Sequence, residues 1–525
     1  MVLTQVTFHV KHNPLAQGKV AIPSGRVPFR AFWCYPAHQQ HINLDQRFST
    51  TSQIGLLKAR ILSQLGLRHP SAYNRYDIVW PALTPCSFSR SPRSPSSPPG
   101  SPVLLGMELF GRGMSVYLDR KNLTSPGFQT VLLSAAGVPY LVRSAPHGRQ
   151  CHYRGRAEIC VAGVCQEGSA AISLCQEQDG GLSGYVKIDG DDVQIKPLPA
   201  AVSNRLREAS GAHLAKRLEP LEHWDELREL NVDMIDGNTL QVPPLLSRSS
   251  LVQEIRQRYG FLHDCELVVP PDVLAISDDV ATADGGRLQL AIAVFVDQTM
   301  AGLLLQQYTT LDEQTNVVLA ALNAVQVLFD DDSFGQPKVR IVVKRIIIDQ
   351  TGKTFKGDGE AEQYLLDFCQ YQDQLGSAVG GTDWDVTVAL TRLDIYGVLD
   401  DVRKDQMDAG IQFPDNRVYG VTGCIFVGGA CRAHRNCVIA EFRKENGNVD
   451  TIALEVGEYQ NETFFSNTRI SSLYSGNIMS LSSAKQRLGW SVCSVKSFHD
   501  FLTNGTGHRL HAHSDEPEVA ALTNG

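Results

Sequence analysis

RLQLAIAVFVDQTMAGLLLQQYTTLDEQTNVVLAALNAVQVLFDDDSFGQPKVRIVVKRIIID, Arg287 to Asp349, sets the fold class. Its opening segment, RLQLAIAVFVD, is an apolar, β-branched run that predicts a strand. Thr310-Leu-Asp-Glu313 has the spacing of a capping box, in which the Thr hydroxyl and the Glu carboxylate each satisfy an otherwise free amide at a helix start. The helix it opens carries Val318, Ala321, Leu322, Val325 and Phe329 at helical spacing on one face. The closing segment, Val339 to Asp349, is almost wholly apolar, which predicts a central strand buried on both faces. Strand, helix and strand in this order are the grammar of an α/β domain with a mostly parallel sheet. A helix over Glu360 to Gln374 and a strand over Trp384 to Leu390 continue it.

Toward the N-terminus the pattern changes. SVYLDR, TVLLSA, YVKIDG and VQIKPL are short runs broken by Gly and Pro, and they predict a β-rich domain over 76–200. SRSPRSPSSPPGSP (Ser89 to Pro102) has no apolar face to bury and reads as a disordered insert at 89–102. Residues 1–75 are unassigned, apart from a short amphipathic helix expected over Leu56 to Leu67. Residues 201–285 read as a polar connecting region. It holds Lys216-Arg217, a weak processing signal because no Arg stands three residues before Arg217. The α/β domain spans 286–505, and 506–525 reads as a disordered tail. No internal repeat is visible.

A chain of 525 residues, 43% of them hydrophobic, can bury several cores, and its length suggests two to four domains. The net charge of −8 is spread over interspersed signs without a basic run, so nucleic acid is not an expected partner. No apolar stretch reaches the roughly 18 residues that a membrane span needs. The start, MVLTQVTFHVKHNPLAQG, lacks the marks of a secretory signal, which points to an incomplete N-terminus. The twelve cysteines, clustered at 151–175 and 369–493, argue for disulfides in an exported protein; ordinary free thiols in an intracellular one are the alternative. Sequons at Asn122, Asn461 and Asn504 fit export. No C-x-x-C pair, G-x-S-x-G, P-loop or dinucleotide glycine pattern points elsewhere.

Local motifs narrow the α/β choice. FCQYQ (Phe368 to Gln372), DWDVTVALTRLDIYG (Asp383 to Gly397), GGACRAHRNC (Gly428 to Cys437) and GWSVCSVKSFHDFLTNG (Gly489 to Gly505) occur in the order of the reprolysin-type catalytic domain of the ADAMTS family, and resemble it. Upstream, YDIVWP, ELFGRGMSVYLDR, CHYRGR and SAAISLC resemble that family's prodomain. The resemblance covers roughly 76–515. It implies a metzincin catalytic domain preceded by a β-rich prodomain, a secreted location, and action on extracellular matrix or cell-surface proteins.

Metzincins bind zinc through H-E-x-x-H-x-x-G-x-x-H. Two His four residues apart on a helix reach one ion, and the Glu between them serves the bound water as general base. The equivalent stretch here is LEVGEYQNETF, Leu454 to Phe464, followed by Ile478-Met479-Ser480 as the Met-turn. The resemblance places Leu454, Glu458 and Phe464 at the three ligand positions, Asn461 at the turning glycine and Glu455 at the base. Leu and Phe cannot ligate, so Glu458 is left alone where three protein ligands are usual. The family's structural calcium falls on Ala291, Asp385, Arg509 and Ala512, which keeps only one carboxylate. Asp394 matches an Asp that can join further calcium sites, or is a strand-end turn residue. Cys151–Cys175 and Cys369–Cys437 are the implied disulfides; Cys431 and Cys493 lose their partners, Tyr396 replaces a cysteine, and Cys424 is extra. The tail histidines His508, His511 and His513 fit adventitious metal binding or plain solvation.

Three functions follow: a pseudoprotease, an active zinc endopeptidase with an altered metal site, or an uncleaved proform acting as a binding protein.

Overall fold

A computed structural model describes residues 51–67, 75–85, 102–133, 139–144, 151–161, 164–176, 181–205, 209–218, 264–268, 288–352, 359–378, 384–398, 417–419, 423–427, 435–442, 449–458, 489–490 and 492–503. In the N-terminal half the strands are β1 (Tyr76–Val79), β2 (Ala82–Pro85), β3 (Val103–Leu109), β4 (Arg112–Arg120), β5 (Thr124–Leu133), β6 (Pro139–Ser144), β7 (His152–Val161), β8 (Val164–Gln176), β9 (Gly181–Ile188), β10 (Asp191–Pro197) and β11 (His213–Leu218). Then come β12 (Asp264–Val268), β13 (Leu288–Val296), β14 (Val339–Ile348), β15 (Val386–Thr391), β16 (Tyr396–Val398), β17 (Arg417–Tyr419), β18 (Gly423–Val427) and β19 (Cys437–Glu441).

Nine strands form one antiparallel sheet in the order β1-β11-β10-β9-β8-β7-β4-β3-β2. Its apolar face buries Leu105, Val116, Leu118, Ile159, Ile172 and Val186. The helix Thr51–Gln64 begins five residues before its expected start and buries Leu57, Ile61 and Leu62 against Tyr76, Ile78 and Leu214.

The second sheet has eight strands, β12-β18-β19-β15-β13-β14-β5-β6. Strands β19, β15, β13, β14 and β5 run parallel, while β18 is antiparallel to β19 and β6 to β5. β13 shows the period-2 pleat: Leu288, Leu290, Ile292, Val294 and Val296 join the central core, whereas Phe295 joins a core on the other face with Tyr364, Leu365 and Phe368 of the helix Ala361–Ala378. β14 is interior, buried on both faces, as its composition predicts. Its second neighbour is β5, which holds most of TVLLSA. That segment is read from sequence as a strand of the β-rich region, but it pairs Thr130–Leu132 with Ile346–Ile348 in the other sheet. The reason is edge protection: without β5, an apolar strand would present a bare row of amides and carbonyls.

Between the sheets lies the helix Leu311–Asp330. Its capping box is formed: Thr310 Oγ1 accepts from the Glu313 amide, and the Glu313 carboxylate accepts from the Thr310 amide at 2.9 Å. Those bonds hold the Glu313 carboxyl below its ordinary pKa. One flank of the helix meets β14 and the other meets β7, β8 and β9, so fourteen of its residues are buried, Asn323 and Gln326 among them. Asn323 and Gln326 both bond to strand backbone. Asn323 Nδ2 donates to the Tyr153 carbonyl of β7 at 3.0 Å. Gln326 Nε2 donates to the Val339 carbonyl at 2.8 Å, and its Oε1 accepts from the Ile341 amide at 2.6 Å. β5 pairs with β14 only from Val343 onward, so the Gln326 carboxamide continues the ladder where the neighbouring strand stops.

The C-terminal end of this helix carries Asp330 and Asp331, the unfavourable sign for a helix dipole. Arg154 answers Asp330 at 2.9 Å and Lys187 answers Asp331 at 3.0 Å, both from the nine-stranded sheet. Trp490 closes the same end: its Nε1 donates to the Leu328 carbonyl at 2.7 Å, and its ring packs on Phe329 and Phe334. Among the described residues, no helix is long and apolar enough to cross a membrane.

Two outcomes are expected. Gln326→Leu keeps the volume but strands two buried backbone groups of β14, so stability should drop by about 2–4 kcal/mol in chemical denaturation; a change below about 0.5 kcal/mol would show that the carboxamide bonds contribute little. The second concerns His213, whose Nε2 accepts from the Leu182 amide at 3.0 Å and which burial holds below its usual pKa. A depressed histidine contributes stability that is full above the unfolded value near 6.5 and is lost as pH falls below it. His213→Gln keeps an acceptor without the titration. The fall in Tm between pH 7 and pH 5 should therefore be smaller in the variant than in the wild type, and an equal fall would rule this source out.

Candidate metal centre and its surroundings

The helix Val449–Glu458 carries the remnant motif. Val449, Ile452, Ala453 and Val456 recur at i, i+3, i+4 and i+7 and enter the central core. At 100° per residue, positions 454, 455 and 458 fall on the remaining side of the helix. Positions 454 and 458 stand one turn apart, the backbone spacing that two zinc ligands require. On the alignment given above, the donor chemistry does not fit the ion. A Leu at the first position has no donor atom, and Glu458 offers one carboxylate. Asn461, Phe464 and Met479 lie outside the described residues, as do Arg509, Ala512 and the tail histidines.

Asp385 is wholly buried at the entry to β15. Its Oδ2 accepts from the Ala291 amide at 2.8 Å, and its own amide donates to the Ala291 carbonyl at 2.8 Å. Ala291 and Ala293 pack with Trp384, and the Arg345 guanidinium lies 5.4 Å from the centre of the Trp384 ring. Asp394 is exposed beyond the far end of the same strand. The six residues of β15 hold the two carboxylates about 20 Å apart, so they do not share an ion. Next to Asp394, the Ile395 amide donates to Glu441 Oε1 at 2.7 Å, at the end of β19.

Sequence reasoning missed a carboxylate that accepts four hydrogen bonds. Asp297 directly follows β13 and caps the helix Gln298–Gln307 through the Met300 amide at 2.8 Å. Its Oδ2 also accepts from Thr391 Oγ1 at 2.6 Å and from Tyr364 Oη at 2.8 Å. Burial pushes the Asp297 carboxyl up, and burial together with Asp297 pushes the Tyr364 phenol up. The cluster locks β13, β15 and two helices together. The available signal was an Asp at a strand-to-helix junction, which marks a cap but not its distant partners.

The structure joins Cys151 with Cys175 and Cys369 with Cys437. A third bridge, Cys160–Cys165, links directly opposed residues of β7 and β8. The C-x4-C spacing across a hairpin could have suggested it. Cys424 is disulfide-bonded too. Lys216-Arg217, read as a weak processing signal, lies inside β11. Lys216 pairs with Tyr76 of β1 and Gln194 of β10, and Arg217 Nε donates to Asp191 at 2.8 Å while its guanidinium covers the Phe110 ring at 3.8 Å.

No protein-family profile matches the chain. Among curated proteins it is similar to "A disintegrin and metalloproteinase with thrombospondin motifs 16" of Mus musculus, 25% identical over 495 residues, which is 90% of this chain and 37% of that protein. The Homo sapiens protein of the same name is 25% identical over 438 residues, 79% of this chain and 33% of the relative. "A disintegrin and metalloproteinase with thrombospondin motifs 10" of Homo sapiens is 23% identical over 317 residues, 58% of this chain and 24% of the relative. The chain thus spans about a third or less of these relatives' lengths. Among solved structures, metalloproteinase-II from Bacteroides fragilis aligns with a TM-score of 0.33 and 10% identity, over 74% of this chain and 87% of that one. By sequence, the chain is a relative of the ADAMTS metalloproteinases.

Proposed function

We propose that this chain is a non-cleaving relative of the ADAMTS metalloproteinases, exported from the cell, which uses a metzincin scaffold to bind matrix or cell-surface proteins. The observation that carries this reading is Leu454. It stands on a formed helix one turn from Glu458, where the family's pattern places its first two histidines. Without an adequate ligand set there is no zinc to lower the pKa of a water toward 7, and Glu455 has no activated nucleophile to serve as base. On this reading the eight-stranded sheet and its helices are the catalytic scaffold, and the nine-stranded sheet is the prodomain. The disulfides support export. No calcium dependence is expected from Asp385, whose Oδ2 already accepts from Ala291.

The position of Lys216-Arg217 supports an uncleaved proform. A processing protease binds its target as an extended segment, and here that segment would have to leave the interior of a sheet.

Zinc analysis of the purified protein, with a general peptide substrate assayed with and without a chelator, tests the central claim. Zinc well below one per chain and no chelator-sensitive cleavage are expected. Stoichiometric zinc with chelator-sensitive cleavage would establish the rival reading, an active endopeptidase with an altered site. If Leu454→His, Glu458→His and Phe464→His together restore zinc, the alignment gains independent support. Treatment of the native protein with a dibasic-specific convertase should leave the bond after Arg217 intact until denaturant is added. Rapid native cleavage there would remove the uncleaved-proform reading.

A further inference from the structure

A second group of metal-ligating atoms converges at the β7–β8 pair of the nine-stranded sheet, outside the helix Val449–Glu458. His152 Nε2 lies 4.0 Å from the sulfur of Cys151 and 3.8 Å from that of Cys175. His152 is buried, while both cysteines are partly exposed. The three residues sit at one end of the β7–β8 pair, where His152 is directly opposite Ser173. Nδ1 of His152 is 2.8 Å from Ser173 Oγ. With Nδ1–H donating to that oxygen, Nε2 turns its lone pair toward the sulfurs. A hydrogen bond of this kind on the second nitrogen is what fixes and orients a metal-bound imidazole. Burial, helped by the nearby Arg154 charge, lowers the His152 pKa to about 4, so the ring is neutral near pH 7.

In the oxidised chain the sulfurs are bonded to each other and the site is closed. We propose that reduction of Cys151–Cys175 opens a Cys2His binding site for a soft divalent metal, zinc above all, within the nine-stranded sheet. A thiol or phosphine reductant supplies two electrons, the S–S bond breaks, and each sulfur takes a proton. Zinc then displaces both protons and forms two Zn–S bonds, with Nε2 as third ligand and water as fourth. The geometry is close to ready. Zn–S near 2.3 Å and Zn–N near 2.0–2.1 Å place nitrogen and sulfur about 3.6 Å apart in a tetrahedron, so the present separations need to close by only a few tenths of an ångström. The sulfurs must part to about 3.8 Å, a side-chain rotation on backbones whose Cα atoms are 5.0 Å apart. Among the described residues the other group of this kind, Glu158 with Cys160 and Cys165, has no histidine and two exposed cysteines.

The test uses the full chain reduced anaerobically with a phosphine, titrated with Co2+ as the spectroscopic probe and followed in parallel by far-UV circular dichroism. A thiolate-to-cobalt charge-transfer band is expected in the reduced protein, absent in the oxidised one, reaching one ion per chain and abolished by Zn2+. Cys151→Ser with Cys175→Ser should remove it, and His152→Gln should weaken Co2+ binding about tenfold or more. A band that survives the double serine variant overturns the proposal, because other cysteines then carry it. So does unaltered affinity in His152→Gln, the lack of any band in reduced folded protein, or loss of the circular dichroism signal on reduction. None of these outcomes bears on the zinc content of the oxidised protein, so the proposed function stands or falls separately.

Discussion

The molecule depends on burying one helix on nearly all sides. Leu311–Asp330 lies between two sheets, and a helix in that position must be apolar around most of its circumference. Where it is not, each polar group needs a partner, because an unsatisfied buried donor or acceptor costs about 1–3 kcal/mol. Asn323 Nδ2 and both ends of the Gln326 carboxamide meet that demand by bonding to strand backbone, one residue toward each sheet, while Asn323 Oδ1, Gln314 Oε1 and Thr315 Oγ1 stay buried without a partner among the described residues. The helix therefore does more than fill space. It fixes the distance between the sheets and the register of β14 against its side chains. The charges at its C-terminal end extend the same logic to the surface, with both basic partners supplied by the nine-stranded sheet.

What could be read in the sequence was local. The capping box, the apolar stripe that follows it and the mostly apolar run of β14 each depend on residues a few positions apart, and each appears in the structure. The partner of TVLLSA could not be read. It is a strand by composition, but its sheet is set by an open edge more than two hundred residues downstream. Lys216-Arg217 shows the same limit. As a dipeptide it reads as an exposed signal, and only β1 and β10 reveal it as sheet interior.

The candidate metal centre divides along similar lines. That Leu454 cannot ligate follows from its side-chain chemistry and needs no coordinates. The role of Asp297 requires them, because its partners Tyr364 and Thr391 lie 67 and 94 positions away. Asp385 falls between these cases. Resemblance marks it as an ion ligand, while the structure shows a buried carboxylate bonded to the backbone of the adjacent strand.

The path of β5 and β6 has one more consequence. After β4 the chain leaves the first sheet, adds a hairpin to the second, and returns as β7 beside β4. Neither sheet is therefore a continuous piece of chain, and the join between β5 and β14 cannot form until residues near 343 have been made. Such pairing of distant segments slows folding, because loop closure comes before the reward. It also ties the two sheets into one topological unit. Damage to either should spread to the other, and the chain should melt as a single body rather than as two domains in sequence.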